Sequence, residues 1–223
     1  TSSVTDMGDM FASCSAIQYL KLSSFNTSSV TDMSDMFRFC PAIQTLDLSS
    51  FDTSSVTDMH CMFFKCTSLE DLDLSGFDTS QVTNMTGMFE GCKSLTSLDL
   101  SGFDTSSVTK MYGMFWGCSS IYTLNLSGFD TSSLTDMDWM FSNCSSLEFL
   151  DLSSFSTASI EKAPNSVFMD CSSLKTILVS ENWTMGEREM PDSSGGGMFR
   201  NCTSLVGGNG TTYSAEHTSA SYA

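Results

Sequence analysis

The sequence predicts an α/β repeat, a solenoid of short coils with a parallel β-sheet on one face and short helices on the other. Three observations predict it. Cysteines fall at Cys14, Cys40, Cys66, Cys92, Cys118 and Cys144, each 26 residues after the last, and the step loosens only towards Cys171 and Cys202. Two phenylalanine columns keep the same step, from Phe11 to Phe141 and from Phe25 to Phe155, and Val4 opens a third that continues through Val108 to Leu134 and Ile160. Hydrophobic residues make up 40% of the chain and charged ones only 16%, the balance of a folded protein. Self-similarity at a fixed step of this length marks stacked repeats, which grow coil by coil and need no single large core.

One coil, taken from Leu95 to Cys118, shows how each element arises. Leu95, Leu98 and Leu100 follow the pattern L-x-x-L-x-L, in which a short strand turns Leu98 and Leu100 inward. A turn follows around Gly102, Phe103, Asp104, Thr105 and Ser106, whose side-chain oxygens can accept from nearby backbone N–H groups. Met111, Met114, Phe115 and Cys118 then recur at i, i+3, i+4 and i+7, the spacing of a two-turn helix, with Thr109 as its N-cap. So short a helix needs its neighbours to hold it. Stacked, such coils form a leucine-rich-repeat-like solenoid, right-handed by the usual crossover preference.

The run from Leu72 to Met85, with Leu74, Gly76, Phe77, Asp78, Thr79, Val82 and Thr83 between them, resembles the bacterial surface protein 26-residue repeat, a relative of the BspA-like leucine-rich repeats. The resemblance spans nearly the whole chain. It implies a secreted or cell-surface bacterial protein with a role in adhesion, and it implies no particular ligand. Residues 1–206 are expected to form the solenoid, starting mid-repeat as part of a longer protein and irregular from about 172. Trp183 there stands where phenylalanine is expected, and Gly195, Gly196 and Gly197 precede Phe199. Residues 207–223, opening on Gly207 and Gly208, resemble the closing segment of gut-bacterial members and are expected to be irregular.

Charge narrows the partners. Nine Lys and Arg against 26 Asp and Glu give a net charge of −17, unsuited to nucleic acid or an anionic membrane. No stretch approaches the roughly 18 apolar residues of a transmembrane helix. No oligomerisation signal stands out, so a monomer is expected.

Candidate chemistry is sparse. The periodic cysteines lie on the inner stripe and read as buried free thiols; Cys61 lies off the column and reads as exposed. No cofactor or metal is expected, since the cysteines form no C-x-x-C pair and His60 and His217 stand in no ligand motif. The same poverty of nucleophile motifs points away from an enzyme. Outward strand positions carry Lys21, Asp47, Asp73, Asp99, Asn125 and Asp151, with Asp71 and Glu70 beside them. This acidic strip is either solvated and bonded to Ser49, Ser75 and Ser101 or a site for a basic partner or cation. Asp52, Asp78, Asp104 and Asp130 read as turn caps, and the threonine column from Thr27 to Thr157 as turn chemistry.

Two candidate binding faces follow. The concave strand face offers Tyr19, Asp47, Asp71, Asp73, Asp99, Tyr122 and Phe149; the helix face offers His60, Phe64, Tyr112, Trp116 and Trp139, off-pattern residues expected to point outward. The function expected is a surface binding or adhesion module for a protein or glycan partner of host or matrix. A structural spacer is the alternative. A hydrolase would need an inserted pocket, and no insertion breaks the repeat before Cys144.

Overall fold

The computed structural model describes residues 1–183 and 197–206, and within them the repeat is a stack of coils joined by two parallel ladders. The first ladder is the expected one. Strand β1 (Ser97–Asp99) pairs in parallel with β2 (Thr123–Asn125), and β3 (Phe149–Leu152) with β4 (Thr176–Val179). Thr45 bridges Asp71 in the same column two coils earlier. Register sets like residues on like, Leu98 opposite Leu124 and Leu150 opposite Ile177, so the inward leucines form one continuous row.

A second parallel ladder, not anticipated from the sequence, runs through Asp6, Asp32, Asp58, Asn84, Lys110 and Asp136. Beside it, each threonine of the column from Thr31 to Thr135 donates its backbone N–H to the threonine one coil earlier. Thr109 belongs here rather than at a helix cap: its N–H and its hydroxyl both go to the Thr83 carbonyl, at 2.9 and 3.3 Å.

The helical face is corrected. Among the described residues there is no helix. Where one was expected the chain makes two successive tight turns, closed in one coil by Met62 N–H to the Met59 carbonyl and Phe64 N–H to the Cys61 carbonyl. A helix would send each N–H back four residues in its own chain segment. Here the N–H groups of Met59, Cys61, Phe63 and Lys65 instead reach the Asn84, Thr86, Met88 and Glu90 carbonyls of the next coil, at 2.6 to 3.1 Å. The cause is a pair of left-handed residues four apart in each coil: Asp35 and Phe39, Cys61 and Lys65, Gly87 and Gly91, Gly113 and Gly117, Trp139 and Asn143. A residue in that conformation ends a helical turn and redirects the chain. Turns that reverse every four residues still point Met111, Met114, Phe115 and Cys118 inward, so the predicted stripe is buried although the helix is not there.

Stacking fills the core. Rings of Phe37, Phe63, Phe89, Phe115 and Phe141 lie 5.6 to 5.7 Å apart at 6 to 7° to one another. The column continues to Phe168 and Phe199 even though the spacing lengthens after Cys171, and Trp183 packs on Phe168. Cysteines in the described residues are free thiols. Cys66, Cys92, Cys118 and Cys144 each donate Sγ–H to the phenylalanine carbonyl one coil earlier, at 3.1 to 3.2 Å, which satisfies the one polar group these side chains bury. Burial pushes the thiols of Cys66 and Cys118 up to about 12. Cys61 is not the exposed thiol expected. It is half-buried against Gly87, where a Cβ would lie 3.1 Å from its Sγ, and burial followed by the nearby Asp35 and Glu90 pushes it to about 11.

The hydroxyl column is buried too. Thr53 donates to the Asp78 carbonyl at 2.9 Å and accepts the Asp78 N–H at 2.8 Å, so its role is to bond adjacent coils, not to shape a local turn. The turns belong to aspartate. Three columns each use four of them to accept the N–H two residues on: Asp6, Asp32, Asp58 and Asp136; Asp47, Asp73, Asp99 and Asp151; Asp52, Asp78, Asp104 and Asp130. Asn84 and Asn125 do the same without charge. Much of the acidity of the chain is therefore turn chemistry. The expected irregular extension, 207–223, lies outside the described residues, as do residues 184–196 of the lengthened last coil.

Two outcomes follow. Phe89→Ala, at a fully buried ring stacked on both sides, should lose about 3 to 5 kcal/mol in urea unfolding, whereas Tyr19→Ala on the surface should change stability by less than about 0.5 kcal/mol. At Asp73, Asn should hold the urea midpoint and Ala should lower it, because only Asn keeps the acceptor for Ser75. The Ser75 bonds hold the Asp73 carboxyl below its usual range, so this contribution is present above about pH 4 and is lost as pH falls further.

Candidate functional site

The coils differ on the outward side of the strand ladder as well as at the tips of the double turns. Because each strand alternates, Leu98 and Leu124 point in while Tyr19, Thr45, Asp71, Ser97, Thr123 and Phe149 occupy one outward row. Three aromatic rings stand out from it: Tyr19 is 77% exposed, Tyr122 59% and Phe149 50%. Tyr122 immediately precedes β2 and Phe149 opens β3, so the two sit on neighbouring coils one register position apart. Leu178 of β4, 45% exposed, extends the apolar surface beside Asp151. Lys175 pairs with Glu148 at 2.7 Å along the same edge.

Charge on this face divides into two kinds. Ser49, Ser75 and Ser101 donate to Asp47, Asp73 and Asp99, and these bonds hold the three carboxyls below the usual range. These aspartates are turn residues first, so their presence needs no ligand to explain it. Through these bonds they shape the array, and all three are exposed to solvent. Asp71 differs: it is exposed, it lies in the strand row, and among the described residues it makes no such side-chain bond.

The opposite face does not present His60, Phe64, Tyr112, Trp116 and Trp139 as a free patch. All five are half-buried, because the left-handed turns fold them down onto neighbouring coils. Phe64 meets Phe39 edge-on at 5.1 Å, with the Arg38 guanidinium and the Lys65 ammonium over both rings at 4.8 to 5.5 Å. Trp116 packs on Trp139 at 5.2 Å and lies close to Gly113. Burial pushes the Tyr112 hydroxyl up, and the nearby Glu90, Asp138 and Asp136 carboxylates add to it. His60 lies between two carboxylates, Nδ1 at 2.9 Å from Asp58 and Nε2 at 3.2 Å from Asp35. The ring contacts are internal, so they account for the residues without a partner.

No helix among the described residues is long and apolar enough to cross a membrane. A search of curated proteins finds no match. Among solved structures, the chain is similar to a leucine-rich repeat protein from Bacteroides ovatus, with 17% identity and a TM-score of 0.53. The match covers 92% of this chain and 58% of that one, so the chain spans little more than half of its relative. It is also similar to a leucine rich cell surface protein from Faecalibacterium prausnitzii, at 18% identity, TM-score 0.42, 90% of this chain and 61% of that one. The first likeness shows the fold: parallel strands repeated coil by coil, as in leucine-rich repeats. Sequence carries the family. With its profile matching residues 1–98 and 92–209, the chain belongs to the family described as "Mycoplasma protein of unknown function, DUF285".

Proposed function

We propose that this chain is a bacterial secreted or cell-surface binding module, of the kind the 26-residue surface-protein repeats form, that presents its strand face to a protein or glycan partner of host or matrix. The coil is taken as right-handed, with the strand face concave. One observation carries the reading. In a molecule whose repeating phenylalanines are nearly all buried, the three most exposed rings among the described residues, Tyr19, Tyr122 and Phe149, all lie on the strand face. Exposed aromatic area of this sort is enriched where partners dock. Asp71, free of a turn role, is the carboxylate best placed to add specificity, and Asp47, Asp73 and Asp99 frame it as capped turns.

The module is read as non-catalytic. Repeats run without insertion before Cys144, so none of those coils loops out the pocket a hydrolase of polysaccharide or peptide needs. A spacer lifting another domain from the cell wall would leave the strand face indifferent.

The test is binding to a panel of matrix proteins and glycans by the parent chain and two variant sets. Tyr19→Ala, Tyr122→Ala and Phe149→Ala together should weaken binding by about tenfold or more, as loss of interface aromatics does. Tyr112→Ala and Trp116→Ala should leave affinity within about twofold once folding is confirmed. The reverse pattern would move the site to the turn face, and no partner for the parent chain would favour the spacer.

A further inference from the structure

One cluster on the turn face is explained by neither the repeat nor the proposed binding surface. Asp35 belongs to the coil of Cys40, and His60 and Asp58 to the coil of Cys66. Asp58 Oδ1 accepts both the backbone N–H of His60, at 2.9 Å, and its ring Nδ1, at 2.9 Å. Asn84 Nδ2 donates to the other oxygen of Asp58 at 3.3 Å. A carboxylate only accepts, so the ring contact puts a hydrogen on Nδ1 and gives Asp58 three donors. That fixes the difficulty at the other nitrogen. Nε2 lies 3.2 Å from Asp35 Oδ2, an ion-pair contact, and in a neutral ring protonated on Nδ1 it would set a lone pair beside a carboxylate.

We propose that Asp35 and His60 share a proton that fastens these two coils together, so that this corner of the solenoid loosens as pH rises. The proton lies on Nε2 with Asp35 ionised, or on Asp35 with Nε2 accepting; both forms hold one proton more than a neutral histidine beside a carboxylate. The surroundings favour retaining it. Asp35 has a side chain only 15% exposed, and burial raises its carboxyl above the usual range although His60 and Arg38 pull the other way. Arg38 Nε lies 3.3 Å from Asp35 Oδ1, yet the two are not aligned for a hydrogen bond, so Arg38 does not satisfy that oxygen. Asp9 from the preceding coil adds a like charge, and Cys61 sits beside the pair with Glu90 near it. Glu90 in turn faces Lys65.

The direction of the pH dependence follows. Unfolding releases the shared proton wherever free histidine is unprotonated, so the contribution is fully present below about pH 6.5 and is lost as pH rises above it. Asp35→Asn is the discriminating variant. Asparagine tolerates the left-handed backbone of this position, φ 56°, and its amide N–H can donate to Nε2 without any shared proton. Urea midpoints of the parent and of D35N are measured from pH 5.5 to pH 9. The parent's advantage over D35N should shrink, or reverse, as pH rises above about 6.5. A gap that stays constant across the range overturns the proposal. Should D35N fail to fold, long-range 1H–15N spectra of the parent at pH 7.5 decide. Hydrogens on both ring nitrogens, or a protonated Asp35 carboxyl, support the shared proton; a neutral ring beside an ionised Asp35, whichever nitrogen carries its hydrogen, contradicts it.

Discussion

A backbone N–H enclosed by methionine and phenylalanine side chains has to find a carbonyl, and in this protein the carbonyl belongs to the next coil. Phe37, Phe63, Phe89 and Phe115 each donate to a methionine carbonyl of the following coil at 2.9 Å. Leaving such a group unpaired in the core costs about 1 to 3 kcal/mol, so the bond is obligatory and not decorative. It is available only because two residues per coil turn left-handed and aim alternate N–H groups along the stack. Ring stacking, the thiol bonds and the buried threonine bonds then follow from coils being held in that register. Each repeats a contact one coil on, and a shift by a single residue would break all of them at once.

The same constraint sorts the side chains into two populations. Residues that meet their own kind in adjacent coils are nearly invariant along the array: Phe on Phe, Cys to Phe carbonyl, Thr to backbone. Aspartate joins this population through its turn-forming bonds, with Asn84 and Asn125 standing in where charge is dispensable. What remains free to vary is the outward strand row and the tips of the double turns. At the tips, variation is answered by contacts between neighbours, such as Trp116 with Trp139 and the Asp35–His60 pair. On the strand face, the exposed rings of Tyr19, Tyr122 and Phe149 are not so answered. That asymmetry is why the strand face bears the functional reading.

The repeat, the inner stripe, the strand position and the free thiols were legible in the amino-acid sequence because each is a matter of spacing. The helix was misread for a physical reason. Inward residues at i, i+3, i+4 and i+7 are shared by an amphipathic helix and by paired four-residue turns, so periodicity alone does not separate them. The discriminating signal was present. Gly87 and Gly91, then Gly113 and Gly117, stand four apart inside what would have been a short helix, where each glycine costs about 1 kcal/mol against alanine. Asn143 and Asp35 occupy the equivalent positions in other coils, both tolerant of a left-handed backbone. The exposure of the turn-face aromatics was misjudged with the helix, since ridges on a helix project and residues on these turns fold down. Pairing of Asp35 with His60 was not legible, because it depends on which residues the turns bring together across two coils.

Hydrogen-bond connectivity on the turn side distinguishes this architecture most directly. Scalar couplings across hydrogen bonds report which carbonyl each N–H engages. Coil-to-coil bonding requires couplings from Cys61 N–H to the Thr86 carbonyl and from Phe63 N–H to the Met88 carbonyl. Coupling of Phe63 N–H to Met59, four residues back in its own coil, would show a helix there and contradict the account.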